Sequence, residues 1–243
     1  MSSTGRGVVR QPDDMYVTPD WCIDAFLKRW INVDAGAYRA IVGWNVLDPC
    51  AGGIGDDPVT MPYVKALNEY PGNLRRFTSV DIREDSPAEF HEDFLDMAFD
   101  GVEFDLIISN PPYSLAQQFI DKALSLLAPS GYVAFLLRLN FFESQKRNAW
   151  WQKNKPKCAF VHSRRPKFIP NHFRKYKCCN ERHCGWKGWV NPKEVYKCPD
   201  CGNLAMWKGK KPPGSDSSAY AHFLWQKGYT GPTMLDVIPM EVV

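Results

Sequence analysis

Long apolar runs are missing from this chain. No stretch of its 243 residues approaches the roughly 20 consecutive apolar residues that cross a bilayer, and the opening MSSTGRGVVRQPDDM lacks the apolar core of a secretory signal. The expectation is a soluble, cytoplasmic protein with no membrane partner. No internal repeat is visible either, which argues against solenoids and propellers. Net charge is small, since 30 Lys and Arg against 27 Asp and Glu leave +3. Cysteine, by contrast, is plentiful. Eight cysteines in a chain without an export signal point to thiols or metal rather than a disulfide framework.

The small net charge conceals a segregation. Between Arg164 and Lys211 there are 13 Lys or Arg against 3 Asp or Glu, so the rest of the chain carries 17 against 24. Basic clustering of this density marks a polyanion contact more often than a solvated face, and nucleic acid is the expected partner. Arg164, Arg165, Lys187, Lys208, Lys210 and Lys211 are the candidate phosphate contacts, with tryptophans and tyrosines interleaved for stacking.

The same segment holds Cys178, Cys179, Cys184, Cys198 and Cys201. CCNERHC and CPDC supply two ligand pairs with 13 residues between Cys184 and Cys198, a spacing that suits a closed four-thiolate zinc site. Cys179, Cys184, Cys198 and Cys201 are the expected ligands, with Cys178 and His183 as rivals. A segment this polar has too little apolar material to fold alone, and metal binding supplies the missing energy. Cys22, Cys50 and Cys158 read as ordinary buried cysteines.

Elsewhere, short apolar strands alternate with helical patterns, which predicts helices around a mostly parallel sheet. Strands are expected at NVLDPC, RFTSVD, FDLIISN, GYVAFLLR, AFVHSR and AYAHFLWQ, with a weaker seventh at EFHEDF. Helices are expected from Pro19, through VTMPYVKALNEY, from Ser114 and from Phe141. Ser114 is the expected cap of the third, whose apolar face is Phe119, Ile120, Ala123, Leu124 and Leu127.

The chemistry is expected at strand ends. VLDPCAGGIGD closes the first strand with a glycine turn that lets the backbone approach a ligand, although the G-x-G-x-x-G spacing of a dinucleotide site is absent. Asp81 ends the second strand, placed to accept hydrogen bonds from ribose hydroxyls, with a helix cap as the competing account. Asp93 and Phe94 follow where an acid and an aromatic face would meet an adenine ring.

Asn110-Pro111-Pro112-Tyr113 ends the next strand. Both Asn110 and Pro111 precede a proline and are held extended, so the loop fixes two acceptors, the Asn110 side-chain oxygen and the Pro111 carbonyl. An exocyclic amine on a heterocycle is a poor nucleophile because its lone pair is delocalised. Two acceptors gripping its hydrogens favour pyramidalisation and free the lone pair, while Tyr113 stacks on the ring.

These motifs, in this order, resemble the S-adenosylmethionine-dependent amino-methyltransferases, specifically DNA adenine-N6 methyltransferases with the Asn-Pro-Pro-Tyr signature. YVTPDW, LDPCAGG, VDIRED, EDFLD and SNPPYS carry the resemblance, and LLRLNFFES and RRPKF are similar to small bacteriophage enzymes. It implies that Tyr16, Thr18, Asp48, Ala51, Gly52, Asp81, Asp93 and Phe94 bind the cofactor, that Asn110, Pro111, Pro112 and Tyr113 form the catalytic loop, and that Phe168 stacks on a flipped base. Ala51 stands where many relatives have glycine. The short spacing from Asp96 to Asp105 leaves no room for a target-recognition domain, so recognition falls to the insert.

The expected architecture is an α/β, Rossmann-like class I methyltransferase with a mostly parallel seven-stranded sheet and a small zinc-ribbon insert. Its core is 1–170, its insert 171–218, and its last strand and C-terminal tail 219–243. The expected activity is methyl transfer to adenine N6 in duplex DNA, with base flipping and no obligate protein partner. RNA adenine, a protein glutamine, or a catalytically degenerate nucleic-acid-binding module are the alternatives.

Overall fold

The computed structural model describes residues 17–34, 43–53, 57–69, 74–166, 168, 174–178, 184, 187–190, 198, 201, 205–207 and 218–239. The chain divides into two compact units, 1–166 with 217–243, and 167–216.

In the first unit, helix α1 (Asp20–Val33) leads through strand β1 (Asn45–Asp48) to a short helix α2 (Pro62–Asn68) and strand β2 (Arg76–Ser79). Strand β3 (Phe104–Ser109), helix α3 (Ala116–Ser125), strand β4 (Leu127–Arg138), helix α4 (Asn148–Lys153) and strand β5 (Cys158–His162) follow. In the second unit, β6 (Arg174–Cys178), β7 (Lys187–Val190) and β8 (Ala205–Trp207) form an antiparallel sheet in the order β7-β6-β8. The chain returns to the first unit with β9 (Tyr220–Gln226) and β10 (Met234–Ile238). No helix among the described residues is long and apolar enough to cross a membrane.

The large sheet has seven strands in the order β10-β5-β9-β4-β3-β1-β2. Every pairing is parallel except those of β9, which runs antiparallel to both β4 and β5. Successive β3 side chains serve opposite faces. Leu106 and Ile108 join Phe26, Trp30, Tyr63 and Leu67 of the first two helices. Ile107 joins Phe119, Ile120 and Ala123 of α3 on the other side. Burial on both faces is why these strands read as near-continuous apolar runs, each large side chain contributing about 1.5–3 kcal/mol.

The strand count agrees with the sequence reading but its membership differs. EFHEDF forms only a single bridge, Val80 to Phe90, because Glu89, His91 and Glu92 are exposed and cannot be buried in a sheet. The seventh strand is instead β10, expected only as tail. It lies at the sheet edge with Leu235 and Val237 exposed, which hides its period, and Asp236 ties it to α1 through Arg29 at 2.7 Å.

Ser114 does not cap α3. Tyr113–Leu115 form a 3-10 turn, closed by Leu115 N–H donating to the Pro112 carbonyl at 2.9 Å, and the helix begins at Ala116. Leu127, expected on that helix, opens β4. The helix expected from Phe141 is broken into two 3-10 turns before α4, the second capped by Ser144.

Candidate active site

The chain winds from β1 outward to β2, then returns to lay β3 on the other side of β1. The crevice between the carboxyl ends of β1 and β3 is therefore the point where strand order reverses and where open α/β sheets bind ligands. A cavity of about 380 Å³ lies there.

One wall is the end of β3. Asn110, Pro111, Pro112 and Tyr113 all line the cavity. The Tyr113 hydroxyl donates to Asn110 Oδ1 at 3.0 Å, which holds the amide oxygen in place. A carbonyl oxygen has two lone pairs and can accept from more than one donor. The Tyr113 ring neighbours Tyr220 at 5.9 Å and the Arg138 guanidinium at 5.3 Å.

The opposite wall is the turn after β1. Gly52 and Gly53 have φ of +66° and +79°, and a β-carbon on Gly53 would come within 2.8 Å of Pro87. Ala51 is outside this left-handed region, so its methyl group is tolerated there. Gly52 N–H donates to Asp81 Oδ2 at 2.8 Å, and Arg83 donates to Asp81 Oδ1 through its backbone N–H at 3.0 Å and Nε at 3.2 Å. Arg83 also reaches the Gly53 carbonyl at 2.7 Å. No helix begins at Asp81, so it is not a helix cap. A carboxylate offers about four acceptor sites, and three protein donors leave room for a hydroxyl.

Asp93 and Phe94 complete the lining. Asp93 Oδ1 accepts from Leu95 N–H at 2.9 Å, which orients the carboxylate. The Phe94 ring lies between Phe119 at 5.1 Å and the Lys122 ammonium at 5.2 Å, and Lys122 anchors the loop by donating to the Leu95 carbonyl at 2.9 Å. Thr18, at the start of α1, also faces the cavity.

Asp48 stands behind the wall rather than in it. It is fully buried, with Oδ1 accepting from Ser109 Oγ at 2.6 Å and Cys50 N–H at 3.1 Å, while Oδ2 has no partner among the described residues. Burial lifts its carboxyl to about 7, against the pull of those two donors. Cys50, expected as plain core, is half-buried and lines the cavity. Burial, with the Asp48 and Asp81 charges, raises its pKa and keeps it a thiol. Tyr63 and Arg83 were missed by sequence reasoning; Arg83 lies inside the VDIRED motif, two residues after Asp81, whereas nothing local marks Tyr63.

In the second unit, the Sγ atoms of Cys184, Cys198 and Cys201 lie within 4.8 Å of one another, with Cys184 and Cys198 at 3.5 Å. Thiolates on one tetrahedral zinc at about 2.3 Å are ~3.8 Å apart, so this donor set fits such an ion. Arg164 and Arg165 are exposed in the first unit, and Arg164 covers the Trp21 ring at 4.8 Å. Phe168 is half-buried. For Lys187 only the backbone position, in β7, is described. Tyr16, Cys179, His183, Lys208, Lys210 and Lys211 lie outside the described residues.

The reversed strand order, the lone antiparallel β9 and the cavity at the switch point define an α/β, Rossmann-like class I methyltransferase fold. No family model and no curated protein sequence matches the chain. Among solved structures it is similar to a Listeria monocytogenes protein assigned as a class I S-adenosylmethionine-dependent methyltransferase, with 14% identity over 97% of this chain and 68% of that one, at a TM-score of 0.48. It is similar also to a SAM-dependent O-methyltransferase from Thermotoga maritima, with 15% identity over 84% and 66% and a TM-score of 0.41. A chain of a type I R-M system shows 12% identity over 96% of this chain and 47% of its own length, at 0.49.

Proposed function

We propose that this protein transfers a methyl group from S-adenosylmethionine to the N6 amino group of adenine in DNA. The observation that carries the reading is the Asn110–Tyr113 loop opening into the same cavity as Asp81, Asp93 and Phe94. An acid for the ribose, an acid and a ring for the adenine, and two fixed acceptors for a planar amine share one crevice. When bound, the cofactor supplies an electrophilic methyl group on a sulfonium.

Asn110 Oδ1 and the Pro111 carbonyl accept the two N–H bonds of the target amine, leaving its lone pair free to attack. Tyr113 orients Oδ1 through its hydroxyl and offers its ring to the base. Because the amine nitrogen is itself the nucleophile, attack is direct and needs no covalent enzyme intermediate. The surplus proton of the amine leaves through the same acceptors to water. Reaching this recessed loop requires the adenine to leave the stack. The cysteine-rich unit is a zinc-bound, basic module that holds the nucleic acid, Cys179 completing the ligand set.

The test is transfer of labelled methyl from S-adenosylmethionine to unmethylated duplex DNA, RNA and protein in parallel, followed by nucleoside and residue analysis. Labelled N6-methyladenine from duplex DNA is the expected product. Label confined to RNA or to glutamine would refute the DNA assignment.

A further inference from the structure

The stretch LLRLNFFES has no assigned role in the proposed reaction, yet its arginine stands beside the catalytic loop. β4 runs parallel to β3 and continues past Ser109 and Phe135, the final pair of their ladder, so its end lies alongside Asn110–Tyr113. That end is Arg138, half-buried and the sole charged residue of the strand. On the other side of β4, antiparallel β9 sets Tyr220 directly opposite Arg138.

The three side chains meet. The Arg138 guanidinium lies over the Tyr113 ring, 5.3 Å from its centre, and Arg138 Nε donates to the Tyr220 hydroxyl across a long 3.4 Å. The Tyr220 ring is buried, 5.9 Å from the Tyr113 ring and tilted 47° to it. Tyr113 lines the cavity, whereas Arg138 and Tyr220 are not on its wall and support the ring from behind.

Tyr113 needs such support. The two prolines before it stiffen the backbone but leave its side-chain torsions unset. Orienting Asn110 Oδ1 and offering a ring to the base both require those torsions to be held before the base arrives. A cation over an aromatic face is drawn to the ring quadrupole, more strongly where water is partly excluded. Arginine suits the place, because a planar guanidinium can lie on one ring and still turn an edge N–H toward a second group; a lysine ammonium is a point charge without that fork.

We propose that Arg138 is a positioning residue that presets the Tyr113 ring for the target base, with Tyr220 holding the guanidinium. The proposal rests on the methyltransferase reading above. The competing use of an arginine at this place is a phosphate contact, and the two uses respond differently to salt and to the loss of Tyr113.

The test follows single-turnover methyl transfer by the full-length protein to whichever acceptor the wild type labels, unmethylated duplex DNA being the expected one. Arg138→Met keeps most of the stem and removes the charge, whereas Arg138→Lys keeps the charge and loses the fork. Transfer should fall about tenfold in Arg138→Met and about threefold in Arg138→Lys. Affinity for S-adenosylhomocysteine, affinity for the acceptor and its salt slope should stay unchanged. In a Tyr113→Leu background, Arg138→Met should cost nothing further. Equal losses in the Lys and Met variants would reduce Arg138 to a packing stem and overturn the proposal. So would an undiminished loss in the Tyr113→Leu background, or weaker acceptor binding with a salt slope reduced by about 1, the mark of a phosphate contact. A wild type that labels neither DNA, RNA nor protein would instead refute the methyltransferase reading itself, and the proposal with it.

Discussion

The two units solve the folding problem differently. The first buries Phe, Leu, Ile and Trp on both faces of a mostly parallel sheet, and several of its buried polar groups are linked to one another. The second has a three-stranded antiparallel sheet and two buried cysteines as its described core. A unit that buries apolar area on this scale needs no ligand to fold, whereas a unit with so small a described core would need the energy of an ion held on its thiols. Chemistry and substrate holding can therefore fail separately.

Removing metal is the largest break in that comparison. A structural zinc contributes on the order of 10–16 kcal/mol of apparent binding energy, so a strong chelator, or Cys198→Ser, should unfold the second unit and abolish DNA binding. Cofactor affinity, measured by calorimetry, should survive. Phe223→Ala works in the opposite sense: it empties a fully buried position of the first unit at a cost of about 3–5 kcal/mol. Urea unfolding should show that loss while zinc content stays unchanged.

Asn110→Ala sharpens the comparison inside the first unit. It should lower turnover about 100- to 1,000-fold and leave cofactor binding within about twofold; the opposite pattern, in single-turnover assays, would reassign Asn110 to the cofactor. Tyr113→Phe keeps the ring and removes only the hydroxyl bonded to Asn110, so a smaller loss of about tenfold is expected.

Smaller still is the pH response. His162, lowered by burial to about 4, and His222, also lowered, bind fewer protons folded than unfolded. Their contribution to stability is complete above the unfolded value near 6.5 and falls as pH drops toward 4. Asp48, raised to about 7, acts with the opposite sign: its contribution is complete below about 3.8 and is lost as pH rises through 7. Asp48→Asn should thus gain most over wild type above pH 7, and urea midpoints at pH 5 and pH 8 check it.

Much of the first unit was legible because its signals are local. Pro111 forbids the strand to continue, so Asn110 had to sit at a strand end. Runs such as DLIIS announce strands buried on both faces. Misreadings occurred where local pattern and burial disagree. EFHEDF offers two aromatic residues but carries exposed charges, whereas MLDVI looks like a tail because this edge strand keeps three of its four apolar residues outside. Ser114 is a good cap by residue type, yet the carbonyl of Pro112 had already taken the turn.

Sequence by itself determined the parallel sheet, the order of its strand-end motifs and the clustering of thiols with basic residues, because each depends on neighbours a few positions apart. Only the tertiary structure decided that Gly52 and Arg83 grip Asp81, that Asp48 retreats behind the wall while Cys50 joins it, and that Cys22, Tyr63, His162 and His222 make one hydrogen-bonded chain. Those contacts join residues up to 140 positions apart. They exist because the sheet brings α1, α2, β5 and β9 together, and no local period in the chain encodes that meeting.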